Sequence, residues 1–211
     1  GECLRIMAFW HPYSKSQSVH KDVVSSTNSE LLANDWPIGS SLSTDFQTQG
    51  RGRYDRKWVN SFELMACSWK IEKPVDMPPP ILQIICGHLI KQSLQSIKDI
   101  GNDSQIILKW PNDLIIIQGE KFGKVSGILV ESASKGKVTH TVVGIGINIS
   151  NDDNNLNEKF PIAYTNWFSN SATAEYLQKQ IHCRIAGLFE SIEGIPNTCL
   201  LYTSDAADDV V

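Results

Sequence analysis

The stretch Gln105-Ile106-Ile107-Leu108-Lys109-Trp110-Pro111-Asn112-Asp113-Leu114-Ile115-Ile116-Ile117 sets two short apolar runs on either side of a Pro-Asn-Asp step. Proline fixes φ, and the Asn and Asp side chains bond their own backbone, so the step predicts a tight turn. The flanking runs are too short for helices and rich in isoleucine, so they read as paired strands, Gln105–Trp110 and Leu114–Ile117. Downstream, Phe122–Ser132 is a third β-rich run, and a Ser134-Lys135-Gly136-Lys137 turn leads into a fourth, Val138–Ile149. Upstream, Ser18–Val24, Ser40–Phe46 and Glu63–Ile71 read as strands, the last ended by the Pro74–Pro80 stretch.

Helices interrupt the strands. Thr27 with Glu30 three residues on matches a capping box, opening a helix to about Asp35. Ile81, Ile84, Ile85, Leu89, Leu94 and Ile97 recur at helical spacing, so a long helix runs from Ile81 to about Lys98. A further amphipathic helix is expected near Ala174–Ile192, after an Asn/Asp-rich loop at Asn151–Asn157. The implied fold class is α+β: a mixed, mostly antiparallel sheet with helices packed on one face. Residues 1–17 carry no clear period and read as an N-terminal extension, and residues 18–195 form the domain. Residues 196–211 read as a tail, disordered or foreign to the gene, because Cys199–Val211 has neither strand nor helix logic.

Composition narrows the function. At 211 residues and 41% hydrophobic, the chain can bury one domain's core. A formal charge of −4 argues against a general nucleic-acid coat, which concentrates positive charge. No apolar run nears the roughly 18 residues of a membrane span. The five cysteines, Cys3, Cys67, Cys86, Cys183 and Cys199, are odd in number and form no C-x-x-C. With no secretion signal in the first residues, a reduced, cytoplasmic setting is expected.

The chemistry gathers in four places. In Gln47-Thr48-Gln49-Gly50-Arg51-Gly52-Arg53-Tyr54-Asp55-Arg56-Lys57-Trp58, cations crowd a loop of an otherwise acidic chain. Its glycines allow φ > 0 and close approach to a ligand, its guanidinium groups fit carboxylate and phosphate oxygens, and Trp58 can cover a ring. A solvated basic loop is the plain alternative, weakened because strands hold both ends. Lys109-Trp110-Pro111-Asn112-Asp113 suits the mouth of a nucleotide site as well as a simple turn. Lys124, in Gly123-Lys124-Val125-Ser126-Gly127, is a solvated strand start unless it faces the arginine loop. Gly144-Ile145-Gly146 lacks the third glycine of a dinucleotide fingerprint, so these glycines are expected to let a ligand or a neighbouring backbone lie against a central strand.

In this order and at these spacings, Ser26-Thr27-Asn28, Gln47 to Trp58, Lys109 to Asp113, Lys124 to Glu131 and Gly144 to Asn148 resemble the biotin–protein ligases, or holocarboxylase synthetases. The resemblance spans about Val19 to Ile149. It implies the class II synthetase-like biotin/lipoate ligase fold and a two-step reaction through biotinyl-5′-AMP, ending on a lysine of a carboxylase's biotin carrier domain. It implies catalytic roles for Lys124, Arg51 and Arg53, with Lys121 a rival that the spacing to Gly127 disfavours. Ser26, Thr27, Gln47, Gly50, Arg51, Arg53, Lys124 and Gly127 would bind biotin. Arg53, Arg56, Trp58, Asn112, Asp113, Lys124 and Asn148 would bind ATP, accompanied by Mg²⁺ for which no ligand set is named.

Some features depart from that family. Asn60-Ser61-Phe62-Glu63-Leu64 is one residue shorter than usual, and Gln49 stands where a small residue is common. No DNA-binding winged-helix module and no C-terminal β-domain are expected, so the chain reads as a fragment or as impaired in turnover. Homodimerisation through a strand edge stays open. A lipoate–protein ligase or lipoyl/octanoyl transferase is the nearest alternative, and a non-catalytic biotin-binding paralogue or a nucleic-acid binder are others.

Overall fold

The computed structural model of the chain describes residues 4–6, 16–60, 63–71, 77–95, 104–135 and 138–150. The helix expected at Ala174–Ile192, the Asn151–Asn157 loop and the tail at 196–211 lie outside the described residues. The elements run β1 (Leu4–Ile6), β2 (Ser18–Val24), α1 (Thr27–Ala33), β3 (Ser41–Gln47), β4 (Glu63–Ile71), α2 (Pro79–Gln95), β5 (Ser104–Lys109), β6 (Asp113–Gln118), β7 (Lys121–Lys135) and β8 (Val138–Ser150). Among the described residues they build one eight-stranded sheet in the order β1-β2-β3-β4-β8-β7-β6-β5. Every pairing is antiparallel except β2 with β3, whose connection carries α1. Such a parallel pair needs a crossover rather than a tight turn, which is why the chain leaves the sheet after Val24. β1 falls within the stretch where the sequence shows no period, and it adds the edge strand by pairing with β2.

Side chains alternate across the strands, and two different layers form. Met65, Cys67, Trp69 and Ile71 of β4, Val143, Ile145 and Ile147 of β8, and Ile128 and Val130 of β7 pack in one cluster with Leu82, Cys86, Ile90 and Leu94 of α2. The intervening positions face the other way, where Leu31 of α1 packs with Val19, Leu42 and Val142. The α+β, mostly antiparallel architecture is as expected, but the single helical layer needs amending. Among the described residues α2 covers one face, and α1 lies on the other. The reason is local: on the second face Ser68 and Gly144 offer α1 a polar, close-packed seat beside the small apolar cluster around Leu31.

The helix start also differs from expectation. Ser26, not Thr27, is the N-cap, with an extended backbone (φ −159°, ψ 130°) and its hydroxyl accepting from the Ser29 N–H. Thr27 is already helical and buried, and its hydroxyl points to the sheet. α1 stops at Ala33, where the Asn34 side-chain amide donates to the Glu30 carbonyl at 3.0 Å. No helix among the described residues is long and apolar enough to cross a membrane.

Cys67 and Cys86 are both free and buried in the α2 cluster. Burial pushes the Cys86 thiol from its ordinary value of 9.0 up to about 12, and pushes Cys67 well above its ordinary value too. Both thiols thus stay protonated in the fold after they would ionise in the unfolded chain. Their contribution to stability is complete below about pH 9 and is lost as pH climbs towards 12. Urea unfolding is therefore expected to give a free energy that declines between pH 8.5 and 10.5, with a shallower decline in a Cys67→Ala/Cys86→Ala double variant. An equal decline in both proteins would contradict this.

Candidate active site

Between β3 and β4 the chain forms a small flap rather than a featureless loop. The Trp58 N–H donates to the Gly50 carbonyl at 2.9 Å, Arg51 and Lys57 bridge, and the Gly52 N–H donates to the Arg56 carbonyl at 2.6 Å. A short 3₁₀ turn at Arg53–Asp55 forms the tip. Its positive φ belongs to Tyr54, at 56°, and not to the glycines as the sequence suggested. Gly50 serves closeness instead: an added Cβ would stand 3.1 Å from the Trp58 Cβ. At the root, the Asn60 amide donates to the Gln47 carbonyl at 2.8 Å, so the short segment after Trp58 still closes on β3.

A buried polar network lies beneath the flap. Gln47 Oε1 accepts from the Thr27 N–H at 2.9 Å and lies 3.3 Å from the Thr27 hydroxyl. Ser68 Oγ, fully buried on β4, sits 2.7 Å from Thr27 Oγ1 and 2.6 Å from Asn28 Oδ1. The Asn28 amide donates to the Leu129 carbonyl at 3.2 Å and to Glu131 at 2.8 Å. Glu131 in turn pairs with Arg51 at 3.1 Å, and Arg51 Nη2 also donates to Ser29 Oγ at 2.9 Å. Gly144 makes this possible, since any Cβ there would coincide with the Asn28 side-chain amide.

β7 carries the third group of residues. Its register against β6 slips between Leu114, which pairs with Ser126, and Ile115, which pairs with Lys124, leaving Val125 as a bulge. Val125 is buried against α2 while Lys124 turns to the opposite face. A bulge of this kind re-aims a side chain, and here it brings Lys124 to the same side as Gly127. The Lys124 ammonium lies 2.7 Å from Asp113 Oδ1 and 5.4 Å from the Trp58 ring centre. The indole spreads over Gly127 and Gly146, where added Cβ atoms would run into its ring carbons. Asn148 donates to the Lys124 carbonyl at 3.1 Å, while its Oδ1 is buried without a partner. Arg51, Gly52, Arg53 and Tyr54 line an open cavity of about 320 Å³ with Leu129 and Glu131 of β7 and the first turn of α2.

These features meet a family signature. Residues 18–148 match the model of the biotin/lipoate A/B protein ligase family. The chain belongs to that family. Among curated relatives of this family member, the biotin–protein ligase 2 of Arabidopsis thaliana is 30% identical over 145 residues, 68% of this chain and 40% of that protein. The bifunctional ligase/repressor BirA of Bacillus subtilis is 34% identical over 145 residues, 65% of this chain and 42% of that protein. The match therefore spans about two fifths of the length of these two relatives. Among solved structures, the Aquifex aeolicus biotin protein ligase in complex with biotin and ATP superposes with a TM-score of 0.67 at 28% identity, covering 82% of this chain and 70% of that one.

Seen as a biotin/lipoate ligase family site, the residues anticipated from sequence divide into three groups. Thr27 and Gln47 meet in the polar network, Ser26 beside them is used as the N-cap of α1, and Arg51 is joined to the network through Glu131. Lys124, Gly127, Asp113 and Trp58 meet under the flap. Arg53 reaches its own neighbour instead, donating to the Tyr54 hydroxyl at 3.0 Å with its guanidinium 4.8 Å over that ring. Asn112 is used by the turn after a cis Trp110-Pro111 bond: its carbonyl accepts from the Ile128 N–H at 2.8 Å and its amide donates to the Ile128 carbonyl at 3.2 Å. Arg56 stays exposed. Asn28, Ser68 and Glu131 were not named from sequence, although Asn28 and Glu131 stood inside the quoted motifs. Ser68 carried no motif signal at all.

Proposed function

We propose that the chain carries the catalytic domain of a biotin–protein ligase, joining biotin to ATP and passing the biotinyl group to a carrier-domain lysine. The observation that supports this most directly is the placement of the Lys124 ammonium and the Arg51 guanidinium along one face of β7, beside a glycine floor and a buried polar network. In the first step a carboxylate oxygen of biotin bonds to the α-phosphorus of ATP and pyrophosphate leaves. Both reactants are anions, so fixed cations lower the barrier by offsetting charge that builds in the transition state. Lys124 would hold the carboxylate and the α-phosphate together, with Arg51 and Arg53 on the flap. In the second step a lysine amine attacks the acyl carbon, AMP leaves with the bonding pair, and the amine loses a proton. The flap would keep water from the mixed anhydride in between.

Ser26, Thr27 and Gln47 offer matched donors and acceptors to the ureido ring, with Gly50 and Gly127 giving close approach. Arg56, Trp58, Asn112, Asp113 and Asn148 would surround the nucleotide. Mg²⁺ fits this donor set: it takes one or two carboxylates plus phosphate oxygens, and Asp113 supplies a carboxylate beside Lys124. It would there neutralise phosphate charge. The cytoplasm suits two free, buried thiols.

The test is transfer of labelled biotin, with ATP, to a carrier domain. Label on the carrier that depends on ATP and resists denaturation is expected, together with calorimetric binding of biotin and none of lipoic acid. Binding of lipoic acid alone, or biotin binding without pyrophosphate release, would overturn the proposal.

A further inference from the structure

We infer that Glu131 is a positioning residue that latches the flap over the site by holding Arg51. The inference deepens the ligase reading and rests on it for the substrate measurements. Arg51 sits on the flap with its side chain 43% exposed, so packing covers it only in part. Its direction comes from two residues on other elements, Glu131 of β7 and Ser29 of α1. Nη2 lies 3.1 Å from Glu131 Oε1 and 3.2 Å from Oε2, and 2.9 Å from the Ser29 hydroxyl. A guanidinium has five N–H donors in a fixed plane. With both Nη2 hydrogens taken by Glu131 and Ser29, the three donors on Nε and Nη1 make no hydrogen bond among the described residues. They remain available to an anion in the cavity that Arg51 and Glu131 line together.

Glu131 is itself fixed at its other side. The Asn28 amide donates to Oε2 at 2.8 Å, and Asn28 is tied through Ser68 to Thr27, which is bonded to Gln47. One carboxylate thus joins the flap's cation to the buried network proposed to recognise biotin. The flap has no apolar anchor of its own at its tip, where Tyr54 is 79% exposed. Weakening this one ionic contact therefore loosens the flap without opening the core. Because the pair is partly exposed, its energy is modest, and the expected effects are several-fold rather than thousand-fold.

The experiment uses Glu131→Gln, which keeps the shape and the Asn28 contact but removes the charge, with Glu131→Asp as the conservative variant. Trypsin reads the flap directly, since Arg51, Arg53, Arg56 and Lys57 are its cleavage points. In the protein without ligand, Glu131→Gln is expected to raise the rate of nicking after these residues by about fivefold, and Glu131→Asp to return part of the protection. In biotin transfer, KM for biotin is expected to rise by about fivefold to tenfold while kcat changes by less than about threefold. Nicking and KM both at the original values, or a loss of kcat at unchanged KM, would overturn the latch. Should the unaltered protein transfer no biotin, the ligase reading fails, and the trypsin result still decides whether Glu131 holds the flap.

Discussion

Replacing Lys124 by alanine is expected to cut biotinyl-adenylate formation by about 10²–10³ while the protein stays folded. The size follows from the chemistry proposed for that ammonium: it meets two anions in a site partly shielded from water, where a fixed cation acts more strongly than in bulk solvent. Folding is spared because the side chain is only partly buried, its ionic contact being to Asp113 at 2.7 Å. Biotin-dependent pyrophosphate release measures the step. Near-normal release would remove Lys124 from the mechanism and direct attention to Lys121, which stands at the start of β7 opposite Gln118, away from the glycine floor.

Gly146→Ala should cost about 10² in kcat/KM for biotin, through Trp58 rather than through the strand. The β8 backbone at this position does not have positive φ, and Gly146 pairs regularly with Ala66 and Gly127, so the alanine backbone fits. Its methyl does not. It would coincide with the ring of Trp58, whose Cε2 would lie 2.8 Å away, and the indole must leave the sheet. The ring's contact with Lys124 goes with it, and a displacement of about 1 Å near reacting groups is enough for a loss of this size. Tryptophan emission should shift to the red while the far-ultraviolet circular dichroism stays the same. Unchanged emission with full activity would show that the indole does not use this floor.

Much of the sheet was legible because its strands advertise themselves. β2 and β4 begin and end where apolar and small residues give way to turn-formers, at Ser18–Val24 and Glu63–Ile71. The flap was not legible as a paired structure. Its cross-links are backbone groups at Gly50, Gly52, Arg56 and Trp58, and backbone groups leave no pattern in side-chain chemistry. The polar network was hidden for a different reason: Asn28 and Glu131 are 103 positions apart, and Ser68 is one serine among many until β4 is set beside α1. The second face of the sheet was missed because its signal is an absence. Gly127, Gly144 and Gly146 make room for the Trp58 and Asn28 side chains by lacking their own, whereas the weak glycine motif at 144 and 146 pointed to a ligand or a neighbouring backbone in that space.

The slip at Val125 ties two distant properties of the chain to a single peptide unit. With strict alternation, residues three apart on a strand point to opposite sides, and Lys124 and Gly127 do not. Drawn out flat with no residue removed, the strand would turn over everything upstream of Val125. The ammonium would then be driven into oil beneath α2, and a hydrocarbon would surface at the proposed phosphate site. Losing one residue between them would do the reverse: two apart on a regular strand, the lysine and the glycine would keep a common side with no slip at all, so this spot tolerates a shorter chain and punishes a straightened one.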